Sequence, residues 1–342
     1  MIICIFTFFF YFTHNNCDKF EKLGYSEKDV KIIHNKVSKS DYDLFLENGY
    51  DKSLIDILNC KGYEEKNFEK YLKYYLKNKK ANIEDIVTII NSEYNLMNYP
   101  ASSLLAGLVQ EKYYINDNVA RYLDYGNSHK VSFKKVIAIV NSKADLGFYN
   151  SVADSNLNDG NLLLVNKFYH LSSSYVPNDL VSLTGKYNKG SNNMMRKEAA
   201  EAFEKMVDGA RLDNVIIYNS SAYRTYAYQV NLYNRYVVRD GKNMADIYSA
   251  RPGYSEHQTG LCSDLNEISE KFDNTDEAKW LNNNAYKYGF ILRFPKDKED
   301  ITGYKHESWH YRYVGKKAAK IIHDDNLTLE EYHAYYNEKE AK

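Results

Sequence analysis

The sequence predicts an α+β chain, with a mainly helical N-terminal region followed by a small antiparallel-sheet domain with flanking helices. Three observations predict it. At 342 residues the chain is long for one core, which points to two domains. From Lys19 to about Asn91 the pattern is charged and helical. After Gly160 short apolar runs alternate with amphipathic ones, and strands in separate places with helices between them suit α+β rather than a doubly wound sheet.

The elements follow in order. Ile2 to Phe12 is an apolar leader, shorter than the roughly 20 residues a bilayer span needs. It suits the apolar part of a secretory signal, although no positive residues precede it. Residues 1–17 are therefore read as a signal-like leader. The destination this leader implies is extracytoplasmic, either secreted or held at the membrane through this segment. Residues 18–150 form a helical region of unassigned role. Gly24-Tyr25, Gly49-Tyr50 and Gly62-Tyr63 recur there, and a glycine after one helix with a polar first turn on the next marks stops and starts. They suggest a weak repeat of short helices. Val131 to Val140 reads equally as helix or strand. Ser151 to Gly160 is polar and loop-like, and sets the boundary before a domain over 160–342.

Within that domain Leu162-Leu163-Leu164-Val165 and Val215-Ile216-Ile217 read as strands. Met195 to Met206, Tyr226 to Val238 and Asp276 to Tyr288 read as helices, the last stopped by Gly289. Phe290-Ile291-Leu292 and Trp309 to Val314 read as strands. On the last, Trp309, Tyr311 and Tyr313 face a core while His310 and Arg312 point the other way.

Charge and cysteines exclude several classes. A net charge of −1 with no basic run gives no reason to expect nucleic acid. Cys4, Cys17, Cys60 and Cys262 show neither CxxC nor zinc-finger spacing, so no disulfide framework is expected. The 34 tyrosines against 4 prolines could line a sugar or peptide groove, although compositional bias explains them as well. Nothing in the sequence sets the oligomeric state.

Three segments carry chemistry: Ser221-Ala222-Tyr223-Arg224-Thr225, Ser255-Glu256-His257-Gln258-Thr259-Gly260-Leu261-Cys262-Ser263-Asp264, and Glu307-Ser308-Trp309-His310-Tyr311-Arg312-Tyr313-Val314-Gly315. Catalytic zinc takes three protein ligands from His nitrogen and carboxylate oxygen and leaves a position open. His257, Asp264 and His310 supply such a set, with Gly260 breaking the chain between the first two. Zinc acidifies water, and a nearby carboxylate can then take the proton. Glu307 is the candidate base, placed in the turn before the strand. The stretch His306-Glu307-Ser308-Trp309-His310 also spells HExxH, a helical zinc motif. Against that second reading, Trp309 to Val314 alternates like a strand, and Glu330, its third ligand, lies in a capping box.

The three segments together resemble the VanY-like D-alanyl-D-alanine carboxypeptidases. The resemblance covers about Leu162 to Gly315, including Leu164-Val165-Asn166-Lys167 and Tyr288-Gly289-Phe290-Ile291-Leu292-Arg293. It implies a zinc metallopeptidase that removes terminal D-alanine from peptidoglycan stem peptides, with Zn2+ on His257, Asp264 and His310 and Glu307 as general base. It further implies that Arg224 stabilises the oxyanion, and that Ser255 and Gln229 hold the peptide with it. L,D-carboxypeptidase or endopeptidase cleavage of the same stems, and a wall-binding module without catalysis, remain as alternatives. Two positions depart from the pattern: Ser308 stands where the family has proline, and Cys262 where it commonly has alanine.

Overall fold

The computed structural model describes residues 19–337, so the apolar leader lies outside the described residues. The chain divides into two compact units, Met1–Ile137 and Ala138–Lys342.

The described part of the first unit is helical: α1 (Glu27–Lys36), α2 (Tyr42–Asn48), α3 (Lys52–Asn59), α4 (Phe68–Lys77), α5 (Ile83–Asn91), α6 (Ser103–Leu108), α7 (Val119–Ser128) and the start of α8 (Phe133–Asn141). The segment left open between helix and strand is thus α8. The glycines of the three Gly-Tyr pairs all have left-handed φ, as a helix stop requires. The repeat itself is larger than those dipeptides. Three times a three-residue 3-10 turn (Lys39–Asp41, Glu65–Asn67, Asn116–Asn118) leads into one helix (α2, α4, α7) and then a second (α3, α5, α8). Each second helix buries the same positions before its closing asparagine: Leu54, Ile55, Ile57 and Leu58; Ile86, Val87, Ile89 and Ile90; Val136, Ile137, Ile139 and Val140.

Hydrogen bonds repeat with the sequence. The Tyr71 hydroxyl accepts from Glu64 N at 3.3 Å, and the Tyr122 hydroxyl from Ile115 N at 3.2 Å. The Ser92 hydroxyl donates to Ile89 O at 2.6 Å, and that of Ser142 to Ile139 O at 3.0 Å. Glu93 and Lys143, one residue further on, both turn left-handed, at φ 62° and 67°. One supersecondary unit recurs three times, the pattern of a helical repeat.

The second unit is built on a five-stranded sheet. Its strands are β4 (Asn188–Asn192), β6 (Asn219–Ser221), β7 (Cys262–Leu265), β8 (Phe290–Phe294) and β9 (Glu307–Tyr313), in the order β4-β6-β7-β9-β8. All neighbours are antiparallel except β4 and β6. Short pairs β1 (Ala153–Asp154) with β2 (Tyr169–His170), and β3 (Leu180–Ser182) with β5 (Met194–Arg196), stand apart from it. The helix α9 (Lys197–Leu212) lays Ala199, Ala200, Phe203, Met206, Val207 and Ala210 into a core with Leu261, Leu265, Phe290, Tyr311 and Tyr313. Strand alternation therefore sends Cys262, Asp264, His310 and Arg312 to the opposite face.

Three local readings are corrected. Leu163 to Val165 is buried but forms no strand, because side chains take its carbonyls: Arg312 bonds Leu163 O at 2.8 Å and Ser155 bonds Leu164 O at 2.8 Å. Val215 to Ile217 also stays outside the sheet. Asn266 occupies its backbone instead, donating to Ile216 O at 2.8 Å and accepting from Tyr218 N at 3.0 Å, so pairing starts at Asn219. Finally, Glu307 is the first residue of β9 rather than a turn residue. Leu292 opposes Tyr311, so an unbroken register would set Phe294 against Trp309, yet Phe294 meets Glu307. This bulge re-aims Glu307.

Asn91 closes the second repeat by bonding the Tyr71 hydroxyl, Asn67 Nδ2 at 3.3 Å and Gly62 O at 2.7 Å. Asn91→Ala leaves these groups short of partners and is expected to destabilise the helical unit by about 1–3 kcal/mol. Denaturant unfolding followed by far-ultraviolet circular dichroism measures it, and an unchanged midpoint would count against the closure role.

Candidate active site

Each chemical residue sits where an element ends or a strand turns its polar face outward. After strand β6 the chain continues through Ala222, Tyr223 and Arg224 into α10 (Tyr226–Asp240), whose first turn is capped by Thr225 accepting from Tyr228 N at 3.1 Å. Arg224 is held at this junction by its backbone N–H, which bonds His257 O at 3.1 Å. His257 lies on the 3-10 turn Glu256–Thr259. Gly260 ends the turn with φ +68°, where a Cβ would meet Leu180 at 2.8 Å, and sends the chain into β7. Asp264 on β7 and His310 on β9 are direct cross-strand partners.

The donor atoms converge. The Asp264 carboxylate lies between the two imidazoles, with Oδ2 3.4 Å from His257 Nε2 and Oδ1 3.2 Å from His310 Nδ1. His257 Nδ1 stands 2.7 Å from Ala222 O, which can only accept. A neutral His257 therefore carries its proton on Nδ1 and presents the Nε2 lone pair to the cluster. Glu307 Oε2 is 3.6 Å from His310 Nδ1. Burial pushes the Glu307 carboxyl up to about 7 against the pull of His310. Arg224 pairs through Nη2 with Asp264 and through Nε with Ser221 Oγ at 3.0 Å. Asp264, Glu307 and His310 form one group of donor atoms within 4.8 Å of one another, and His257, Cys262 and His310 form another, so the departure from alanine falls directly on the cluster.

These residues line a cleft of about 560 Å3, within the roughly 300–1,000 Å3 usual for small-molecule sites. Ser255 and Gln229 line it too, and both are buried. Gln229 donates Nε2 to Ala250 O at 2.8 Å, while its Oε1 is buried without a partner. Tyr228, Tyr236, Tyr248 and Tyr254 form part of the wall, a use for the tyrosine-rich composition. Arg224, Gln229, Ser255, His257, Asp264, Glu307 and His310, the candidate site residues, thus line one cleft.

The helical HExxH reading does not survive. His306 to His310 runs into strand β9, His306 bonds Phe294 O at 2.8 Å and Asp273 at 3.2 Å, and Glu330 is engaged by Arg293 at 2.6 Å. The sequence reading assigned no role to Glu256, Arg293 or Lys167. Glu256 and Arg293 form a buried ion cluster with Arg312 and Glu330. Lys167 is buried against the Phe148, Tyr149 and Tyr304 rings and donates to Asp246 O at 2.6 Å. No local signal marks the ion cluster, because Glu256 meets Arg293 and Arg312 only through the fold.

A family model for VanY, D-alanyl-D-alanine carboxypeptidase, matches residues 192–316. The bifunctional D-Ala-D-Ala dipeptidase and D-Ala-D-Ala carboxypeptidase VanXYC of Enterococcus gallinarum is 33% identical over 182 residues, covering 51% of this chain and 94% of that protein. The chain belongs to the VanY family.

Other similarities lie in the same region. YodJ of Bacillus subtilis, whose name proposes a carboxypeptidase, is 47% identical over 180 residues, or 50% of this chain and 66% of that one. The D-alanyl-D-alanine carboxypeptidase of Enterococcus faecium is 37% identical over 201 residues, or 56% of this chain and 63% of that one. The chain spans less than two thirds of the length of either. Among solved structures, the LdcB LD-carboxypeptidase is 43% identical with a TM-score of 0.51, covering 54% of this chain and 91% of that one. The D,D-pentapeptidase VanY solved in complex with Zn(II) is 34% identical with a TM-score of 0.44, covering 50% of this chain and 98% of that one.

Within this family site, Asp264→Ala is expected to abolish zinc retention, because it removes the carboxylate shared by both imidazoles. His306→Ala is expected to keep the metal, since its ring is occupied by Phe294 and Asp273. Metal content after gel filtration measures both, and a zinc-free His306→Ala beside a loaded Asp264→Ala would overturn the assignment.

Proposed function

We propose that this chain is a zinc-dependent carboxypeptidase that hydrolyses the terminal D-alanyl-D-alanine bond of peptidoglycan stem peptides. The observation that carries the reading is the convergence of His257 Nε2, the Asp264 carboxylate and His310 Nδ1 in a cleft edged by Glu307. Two imidazoles and one carboxylate fit zinc, and they leave a coordination position free for chemistry. A zinc ion on His257, Asp264 and His310 would supply Lewis acidity, polarising a carbonyl and making water a better nucleophile.

The remaining residues then take distinct parts. Glu307 stands beside His310 Nδ1 and acts as general base, accepting the proton of the attacking water and passing it to the departing amine. Arg224 holds the peptide and stabilises the oxyanion of the scissile carbonyl from the same edge of the cleft. Arg224 pairs with Asp264 here, and a cation held by that carboxylate would compete for it and leave the guanidinium to the substrate. Gln229 offers its unpartnered Oε1 to a substrate N–H, and Ser255 offers a hydroxyl. Stem peptides lie outside the cytoplasm, so the protein acts there, and the Ile2 to Phe12 segment is its proposed route of secretion or attachment. Among the described residues no helix is long and apolar enough to cross a membrane.

The 43% identity to the LdcB LD-carboxypeptidase favours a second reading, removal of D-alanine after L-lysine in a trimmed stem. Mass spectrometry of penta- and tetrapeptide stems incubated with the full chain separates the two by the peptide that loses D-alanine. Release from either must stop on chelation; activity that survives thorough chelation would sink the zinc reading. Glu307→Gln is expected to keep zinc and lose about 10²–10⁴-fold in turnover. Arg224→Ala is also expected to keep zinc with slower turnover. A wild-type rate in either variant would remove that residue's role.

A further inference from the structure

Among the described residues, the buried polar atoms without a hydrogen-bond partner include two beside the cleft that face one another, His310 Nε2 and Glu256 Oε2. Each belongs to a side chain with relative exposure of 4% or less, and the two atoms face one another at 3.5 Å. Buried polar groups without partners are rare in native proteins. A pair of orphans this close is most simply explained as a loose donor–acceptor contact.

The other atoms of both residues are committed. Glu256 Oε1 accepts from Arg293 Nε at 2.7 Å and Arg312 Nη1 at 2.9 Å. Arg293 in turn holds Glu330 through two bonds of 2.9 and 2.6 Å, and Glu330 accepts from Asn166 at 3.1 Å. Arg312 is fixed further by the carbonyls of Asn161, Leu163 and Tyr313. Against the desolvation of burial, the two guanidiniums hold the Glu256 carboxyl well below the usual carboxylate range. Glu256 is thus an anchored carboxylate with one oxygen left over, aimed at the ring edge of His310 opposite the Asp264 cluster.

We propose that Glu256 is a positioning residue: its Oε2 accepts the Nε2 proton of His310 and so fixes the ring with Nδ1 turned to the metal. A carboxylate behind a ligating imidazole sets its tautomer and raises its basicity. The inference rests on the zinc reading above, because it assigns which nitrogen of His310 meets the ion.

Side-chain 15N NMR of the full chain, zinc-free and zinc-loaded, tests it directly. Nε2 of His310 is expected to carry a proton in both states, with the metal-induced shift on Nδ1. An unprotonated or metal-bound Nε2 in either state would overturn the proposal, and this needs no variant. Glu256→Gln is expected to weaken zinc binding about 10–100-fold, read by competition with a chromophoric chelator, and to move the His310 Nε2 proton resonance. A folded Glu256→Gln with unchanged zinc affinity would also overturn it. A wild-type chain that takes up no zinc while keeping Nε2–H would instead sink the metal reading alone.

Discussion

The second unit depends on one constraint, the burial of four formal charges beneath its sheet. Arg293 on β8, Arg312 on β9, Glu256 before His257 and Glu330 near the C-terminus are all nearly excluded from solvent, and they pair two against two. Such a cluster gives little net stability, but removing one member strands an opposite charge, at a cost of about 3–5 kcal/mol. Its members come from distant points of the chain, so they are satisfied together or not at all. The residues beside them inherit that rigidity. His257 follows Glu256 directly, and His310 is two residues from Arg312 on the same strand face.

Strand alternation then separates the two kinds of interior. Tyr311 and Tyr313 join the apolar core under α9, while His310 and Arg312 project to the face that carries Asp264 and Cys262. A one-residue slip of β9 would exchange these sets, driving an arginine into hydrocarbon and a tyrosine into the cleft. The register is therefore enforced from both sides of the sheet. The bulge near Glu307 departs from this order only at the strand's first residues, where it brings a second carboxylate to His310 Nδ1, beside that of Asp264, without disturbing the pairing further along.

Much of this was legible in the sequence, for identifiable reasons. The period of two in Trp309 to Val314 announced which side chains share a face, and Gly260 announced the reversal that lets His257 and Asp264 meet. What escaped were places where side chains replace backbone ladders. Leu163 to Val165 has a strand's apolarity, but Arg312 and Ser155 reach its carbonyls first. Val215 to Ile217 loses its ladder to Asn266 in the same way. These partners lie from nine residues to about 150 residues away in sequence, so no local pattern reveals them. Glu256 escaped for a related reason: its neighbours Arg293 and Arg312 come from later strands, and an acid beside a histidine has no meaning until they arrive.

The helical unit shows the opposite balance. Its repeat, whose last helix runs on past Ile137, is written in local terms, with apolar residues at the same places before Asn59, Asn91 and Asn141, and that is enough to specify a helix and its buried stripe. The three Gly-Tyr pairs marked turns correctly but not the period, because turns recur at every helix end whereas the closing asparagine recurs once per module. Asn91 bonds Gly62, Asn67 and Tyr71 of its own module, so the second module closes on itself. A module closed in this way is specified by its own residues. The His257–Asp264–His310 site has no comparable freedom, because every one of its residues is braced by another segment of the same sheet.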